Sequence, residues 1–167
     1  LESQGVSLNV VPLVGHGTVR RQVMGSEKRE PTPEELEQMK RLVAESMEQG
    51  AFGMSSGLIY IPGTYAKTGE VIELAKVASR YGGIYFTHIR NESDRLLEAL
   101  EEAIHIGFEA GLPVQVSHFK VMGQPNWGMV KQSIAMVEKA RADGLDITAD
   151  QYPYICLLYT SPSPRDS

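Results

Sequence analysis

Cysteine is nearly missing from this chain. One stands among 167 residues, Cys156, and it lies in a tail that is set aside below, so cysteine usage says nothing about redox compartment. No run of 18 apolar residues occurs, so no transmembrane helix is expected, and no secretory signal is visible at the start. Positive charge is in deficit: 16 Lys and Arg against 21 Asp and Glu give a net charge of −5 and a pI near 5.4. That balance weighs against nucleic acid or an anionic membrane as the main partner. No GxGxxG follows the first apolar run and no GxxxxGK[ST] occurs, so nucleotide-binding folds lose support.

What is present suits a soluble, cytoplasmic globular domain: 42% hydrophobic and 22% charged residues, over a length that can bury a real core. The chain opens on Leu1 in what reads as running sequence, so its start is expected to be a truncation. Residues 156–167, CLLYTSPSPRDS, fit no strand or helix period and match the translation of a transposase adapter used in sequencing libraries. They are expected to be a non-native tail and are excluded from fold reasoning, which leaves residues 1–155 as the domain.

Within that domain the pattern alternates strand, loop, helix. Strands are expected over Leu8–Val14, Ala51–Ser55, Gly83–Thr87, Pro113–Ser117 and Leu145–Ala149. A polar loop is expected after Gly15-His16-Gly17. Thr32-Pro33-Glu34-Glu35 reads as a capping box opening a helix with Leu36, Met39, Val43 and Met47 inward. Thr68, Ser93 and Asn126 are expected to cap three more helices, with Leu96, Leu100, Ile104 and Phe108 inward on the second and Val130, Ile134 and Val137 on the third. Helices alternating with strands imply βαβ units and a parallel sheet. Ser56, His88, His118 and Asp150 recur at steps of 32, 30 and 32, each at the C-terminal end of its strand. The expected fold class is α/β, a partial (β/α)8 TIM barrel with roughly five of the eight strands.

Two histidines follow short apolar runs, in YFTHIRNES (residues 85–93) and QVSHFK (residues 115–120). Neighbouring parallel strands lie about 4.8 Å apart, so imidazoles at their ends can reach one ion. Zn2+ takes His nitrogens and keeps a position open for water at catalytic sites. On spacing alone, two hydrogen-bonded histidines at a barrel mouth explain the pattern as well.

The stretches GHGTVR, GAFGMSSGLIYIPGTYA, FTHIRNES, VSHFKVMG and ITADQYPY resemble the N-acyl-D-amino-acid deacylases (D-aminoacylases) of the amidohydrolase superfamily, in order and across residues 5–155. The resemblance implies a zinc-dependent hydrolase that splits the amide of an N-acyl-D-amino acid into a carboxylate and a D-amino acid. It implies His88 and His118 as metal ligands and Lys120 as the group that holds the substrate carboxylate. Tyr60, with Ser56 beside it, is assigned to the substrate, where its hydroxyl suits a developing oxyanion; apolar packing of that loop is the plain alternative. Arg90, Asn91 and Glu92 trail His88, and Glu92 or Asn91 is expected to orient the site, with a loop salt bridge as the alternative. The family's His-x-His pair, its further acidic or cysteine ligand and its catalytic aspartate have no counterpart here, and Asp150 is not that aspartate. The expected partner is a small-molecule N-acyl-D-amino acid, with no nucleic acid and no membrane. The chain alone is expected to be inactive. A cyclic-amide amidohydrolase of hydantoinase or dihydroorotase type is the close alternative, and a barrel segment with structural histidines the one of another class. His16 is left between a pocket-lining and a structural role.

Overall fold

The computed structural model describes residues 5 and 7–153. The assignment of 156–167 as a non-native tail lies outside the described residues. Five strands form one parallel sheet in sequence order: β1 (Val14–Gly15), β2 (Gly53–Gly57), β3 (Ile84–His88), β4 (Val114–Val116) and β5 (Ile147–Ala149). Helices α1 (His16–Met24) and α2 (Pro33–Glu48) join β1 to β2, and α3 (Thr68–Arg80), α4 (Leu96–Ala110) and α5 (Val130–Ala142) make the remaining crossovers. The architecture is α/β, a five-stranded arc of a (β/α)8 barrel.

The strands alternate between two faces. Met54, Tyr85, Val114 and Ile147 point to one and are at most 2% exposed, in a single core with Met39, Val43, Leu74 and Leu100 of the helices. Each such side chain contributes about 1.5–3 kcal/mol on burial. Ser55, Phe86 and Gln115 point to the other face, which stays half-exposed. His88 belongs to this open face, two residues beyond Phe86.

The α2 capping box forms as its sequence predicts: the Glu35 N–H donates to Thr32 Oγ1 (3.2 Å) and the Thr32 N–H donates to the Glu35 carboxylate (2.8 Å). Other expectations are corrected. The first strand shortens from Leu8–Val14 to Val14–Gly15, leaving Leu8, Val10 and Val11 47–77% exposed. It pairs on one side only, and Pro12 has no N–H to give, although its carbonyl accepts from the Phe52 N–H. The expected polar loop after Gly17 is helix α1. Its buried residues His16, Val19, Arg20 and Met24 keep helical spacing, but two of them are polar, which hides the period from a hydrophobic pattern. Thr68 is the first helical residue of α3, capped by Lys67, and its hydroxyl donates to Glu102 (2.8 Å). The third expected cap moves from Ser93 to Arg95, and Phe108 is exposed while Ile106 takes the inward place. Asn126 falls in a 3-10 turn before α5; that helix is inward at Ser133 and Ala140 and turns Val130 and Ile134 outward, because it closes the helix layer against α4 alone.

One buried polar cluster ties α1 to α3. His16 Nε2 and Glu70 Oε1 are 2.9 Å apart, Arg20 donates to the second carboxylate oxygen, and His16 and Arg20 are both 0% exposed. Arg20 also donates to the Arg29 carbonyl (2.6 Å), closing the turn between α1 and α2. Glu70 lies in the first turn of α3, which has no side-chain N-cap, so its charge also complements the helix N-terminus. Burial works against its ionisation, but the bonds from His16 and Arg20 outweigh that and hold the carboxyl below its ordinary value.

Two predictions test this packing. A Cβ at Gly107 would sit 2.5 Å from Val114 Cγ2 and 2.9 Å from Leu145 Cδ1. Gly107→Ala gains at most about 1 kcal/mol of helix propensity and loses about 1–3 kcal/mol to overpacking, so the urea midpoint falls. Glu70→Gln leaves Arg20 buried without its counter-charge, at a cost of about 3–5 kcal/mol at neutral pH. Because Glu70 titrates lower in the folded chain than its ordinary 4.5, its stabilisation is complete above that value and is lost as pH falls through the folded one. The gap in urea midpoint between the parent chain and Glu70→Gln therefore narrows on acidification below 4.5 and stays constant from there to neutrality.

Candidate metal and substrate site

The register Thr87↔Val116 brings the ends of β3 and β4 level, so His88 and His118 emerge at one rim. His88 Nδ1 and His118 Nε2 are 2.7 Å apart, and the rings meet edge to face with centroids at 4.4 Å. His118 holds its ring there through backbone in the left-handed region, φ 40°, which a non-glycine residue adopts only when its surroundings impose it. Asp150, at the end of β5, imposes it: its carboxylate accepts the His118 N–H (2.7 Å) and the Gln115 side-chain amide (2.9 Å). This positioning role was absent from the sequence reading. The 32-residue step from His118 to Asp150 was the available signal.

Glu92 completes the cluster. Its Oε1 is 2.9 Å from His118 Nδ1, 2.7 Å from Lys120 Nζ and 3.9 Å from His88 Nε2. Lys120 Nζ also lies 2.9 Å from His118 Nδ1. Donor atoms of His88, Glu92 and His118 all fall within 4.8 Å of one another. Burial, and then the positive neighbours His118 and Lys120, hold His88 below its ordinary value against the pull of Glu92, so the neutral imidazole that can donate a lone pair is favoured. His88 Nε2 is buried with no hydrogen-bond partner among the described residues, a polar atom left over for a ligand. Two imidazoles and a carboxylate are an N/O set that suits Zn2+, so the residues present fit a divalent cation.

The other expected site residues divide. Tyr60 is 62% exposed, its ring 5.0 Å from the His88 ring. Ser56 pairs with Thr87, its hydroxyl is within bond distance of Tyr85 Oη (2.7 Å) and Thr87 Oγ1 (2.9 Å) on the helix-facing side of the sheet, and the residue also borders the space beside Tyr60. Burial pushes the Tyr85 hydroxyl up to about 12, so this is a neutral hydroxyl cluster. Arg90 turns from the histidines to Glu102 (2.8 Å) and to the carbonyls of Thr64 and Ala66, the loop salt bridge of the alternative reading. Asn91 accepts the N–H groups of Ser93 and Arg95, shaping the approach to α4. Of the three residues that trail His88, Glu92 is the one in the cluster. His16 takes the structural role, buried against Glu70.

Beside Tyr60 a cavity of about 340 Å³ opens at the ends of β1 and β2, among Gly15, Gly17, Thr18, Ser55 and Pro62.

No protein-family model matches the chain. It is 42% identical over 155 residues to a D-aminoacylase of Alcaligenes xylosoxydans xylosoxydans, taking in 93% of this chain and 32% of that protein. It is 39% identical over 154 residues to an N-acyl-D-glutamate deacylase of the same organism, again 92% of this chain and 32% of the relative. A crystal structure of N-acyl-D-glutamate deacylase from Bordetella bronchiseptica holds zinc and a phosphonate inhibitor that mimics the reaction's tetrahedral intermediate. It matches with a TM-score of 0.88 at 37% identity, over 92% of this chain and 32% of that one. An L-hydantoinase from Arthrobacter aurescens, 17% identical with a TM-score of 0.51 over 73% of this chain and 31% of its own, shares the fold alone. The chain spans about a third of the length of the curated relatives it matches. Over the part it spans, the chain belongs to the N-acyl-D-amino-acid deacylase family of the amidohydrolase superfamily.

Proposed function

We propose that the protein carrying this chain hydrolyses the amide bond of N-acyl-D-amino acids, with Zn2+ as its metal, to give a carboxylate and a free D-amino acid. The observation that carries the reading is the meeting of His88 and His118 at neighbouring strand ends, their facing nitrogens 2.7 Å apart, within the sequence shared with the deacylases.

His88 and His118 would hold the cation, and Glu92 reaches the same space. When bound, the cation supplies a Lewis acid for the amide carbonyl and lowers the pKa of water toward neutrality. Lys120, held by Glu92, lies at the His118 Nδ1, and Asp150 fixes the His118 backbone. Lys120 carries a positive charge at the edge of the pair and pairs with Glu92 in the free chain. A substrate α-carboxylate arriving at Lys120 exchanges that contact for a charge-assisted bond of its own. Tyr60, exposed and stacked near His88, brings a phenol donor to the side where the carbonyl oxygen develops charge. Asp150 accepts the His118 N–H and the Gln115 amide, a positioning role, and the resemblance assigns it no part as the base. The proton-transferring aspartate implied by the sequence resemblance has no counterpart among the described residues. Against a cyclic-amide substrate stands the contrast between a hydantoinase likeness confined to the fold and deacylase identity that covers the site stretches.

In the full-length protein, His88→Ala combined with His118→Ala is expected to abolish stoichiometric zinc, read by elemental analysis, along with hydrolysis of N-acetyl-D-methionine. Retention of zinc by that double variant would sink the reading. Lys120→Ala is expected to raise KM for the same substrate about 10- to 100-fold, the scale of one lost hydrogen bond to a charged group, with a smaller change in kcat. An unchanged KM would remove Lys120 from the carboxylate site.

A further inference from the structure

We infer that the cavity at the ends of β1 and β2 receives the substrate's acyl group, and that it takes acyl chains longer than acetyl. The inference rests on the deacylase reading and adds the acyl specificity. It begins from the order of groups along the rim. The cavity belongs to β1 and β2, His88 to β3, and His118 and Lys120 to the segment that follows β4, and the strands run in that order. An N-acyl amino acid is a short linear object: carboxylate, Cα, nitrogen, carbonyl, acyl chain. Lys120 Nζ is 2.9 Å from His118 Nδ1, so a carboxylate held there sets the amide carbonyl over the histidine pair. The acyl chain then continues away from Lys120, past Tyr60, toward β2. Tyr60 both stacks near His88 and lines the cavity, which joins the two sites.

Size and lining give the class of ligand. A space of about 340 Å³ exceeds what an acetyl methyl alone would fill. The walls are glycine backbone, the hydroxyls of Thr18 and Ser55, and the aliphatic Ile61 and Pro62. No Asp or Glu is among the described residues that line it, and Arg21 at its edge donates through Nη2 to the Ile61 carbonyl (3.0 Å). An aliphatic acyl chain gains burial against Ile61 and Pro62. Gly17 sets the depth. A Cβ there has only Pro62 Cδ near it, at 4.0 Å, so an added side chain enters the open space instead of the protein wall.

The test uses the full-length protein and a series of N-acetyl, N-butanoyl and N-hexanoyl derivatives of one D-amino acid. Gly17→Val is expected to lower the hexanoyl-to-acetyl ratio of kcat/KM about tenfold or more, the scale of a methylene or two denied its place in an apolar pocket. Ile61→Ala is expected to move the same ratio the other way. Thermal melts of both variants establish that they fold. Acyl ratios unchanged in both variants, or a shift confined to a series of D-amino-acid side chains at constant acetyl, would overturn this assignment and leave the deacylase reading standing. If the unmodified protein hydrolyses no member of the series, the deacylase reading itself fails and this inference falls with it.

Discussion

The arrangement depends on one constraint, the in-register parallel pairing of β3 with β4. Thr87 lies opposite Val116, so the chain leaves the sheet at matching heights on the two strands, and histidines placed one and two residues beyond that pair meet. Parity matters as much as height. Side chains alternate between faces, so a slip of one residue would send His88 into the helix-facing core, where Tyr85 and Thr87 now sit, and separate it from His118. The apolar core holds the register, because Tyr85, Val114 and Ile147 have their burial only in this alignment. Packing on one face thereby positions chemistry on the other.

Polar groups then refine what packing places coarsely. His118 leaves β4 with a positive φ, a conformation costing of order 1–3 kcal/mol for a non-glycine residue. The Asp150 carboxylate accepts its N–H and offsets part of that cost, so β5 contributes to the site without offering a ligand. At the other end of the arc, Glu70 holds the first turn of α1 through His16 and Arg20, and that turn carries Gly15, Gly17 and Thr18 into the cavity wall. In both places a carboxylate that touches no ligand fixes backbone that faces one.

Much of this was legible in the sequence, and the rest was hidden for identifiable reasons. The capping box and apolar spacing of α2, the parallel alternation and the strand-end placing of His88 and His118 follow from local rules, and the structure has them. Helix α1 was invisible because its buried face carries His16 and Arg20, and a hydrophobic period cannot register a face whose burial is satisfied by ion pairing. Ser56 was assigned to the substrate beside Tyr60 from its strand-end position. Its alternation with Ser55 settles the face only once the pairing with Thr87 is known. Arg90, Asn91 and Glu92 are consecutive, yet a loop sends each side chain elsewhere: to Glu102, to the turn before α4, and to the histidines. Sequence distance from His88 could not rank them.

The rim that results is asymmetric along its length. At the β4 end stand the ammonium of Lys120 and the carboxylate of Glu92; at the β1 end lie glycines and aliphatic side chains around an open space, and the histidine pair sits between. A ligand charged at one end and apolar at the other, with a polarisable bond in the middle, matches that gradient in one orientation. Orientation follows from the charge of Lys120 at one end and the aliphatic wall of Ile61 and Pro62 at the other. Because the order of strands around the arc sets the order of these groups, the fold itself imposes the direction in which a substrate lies.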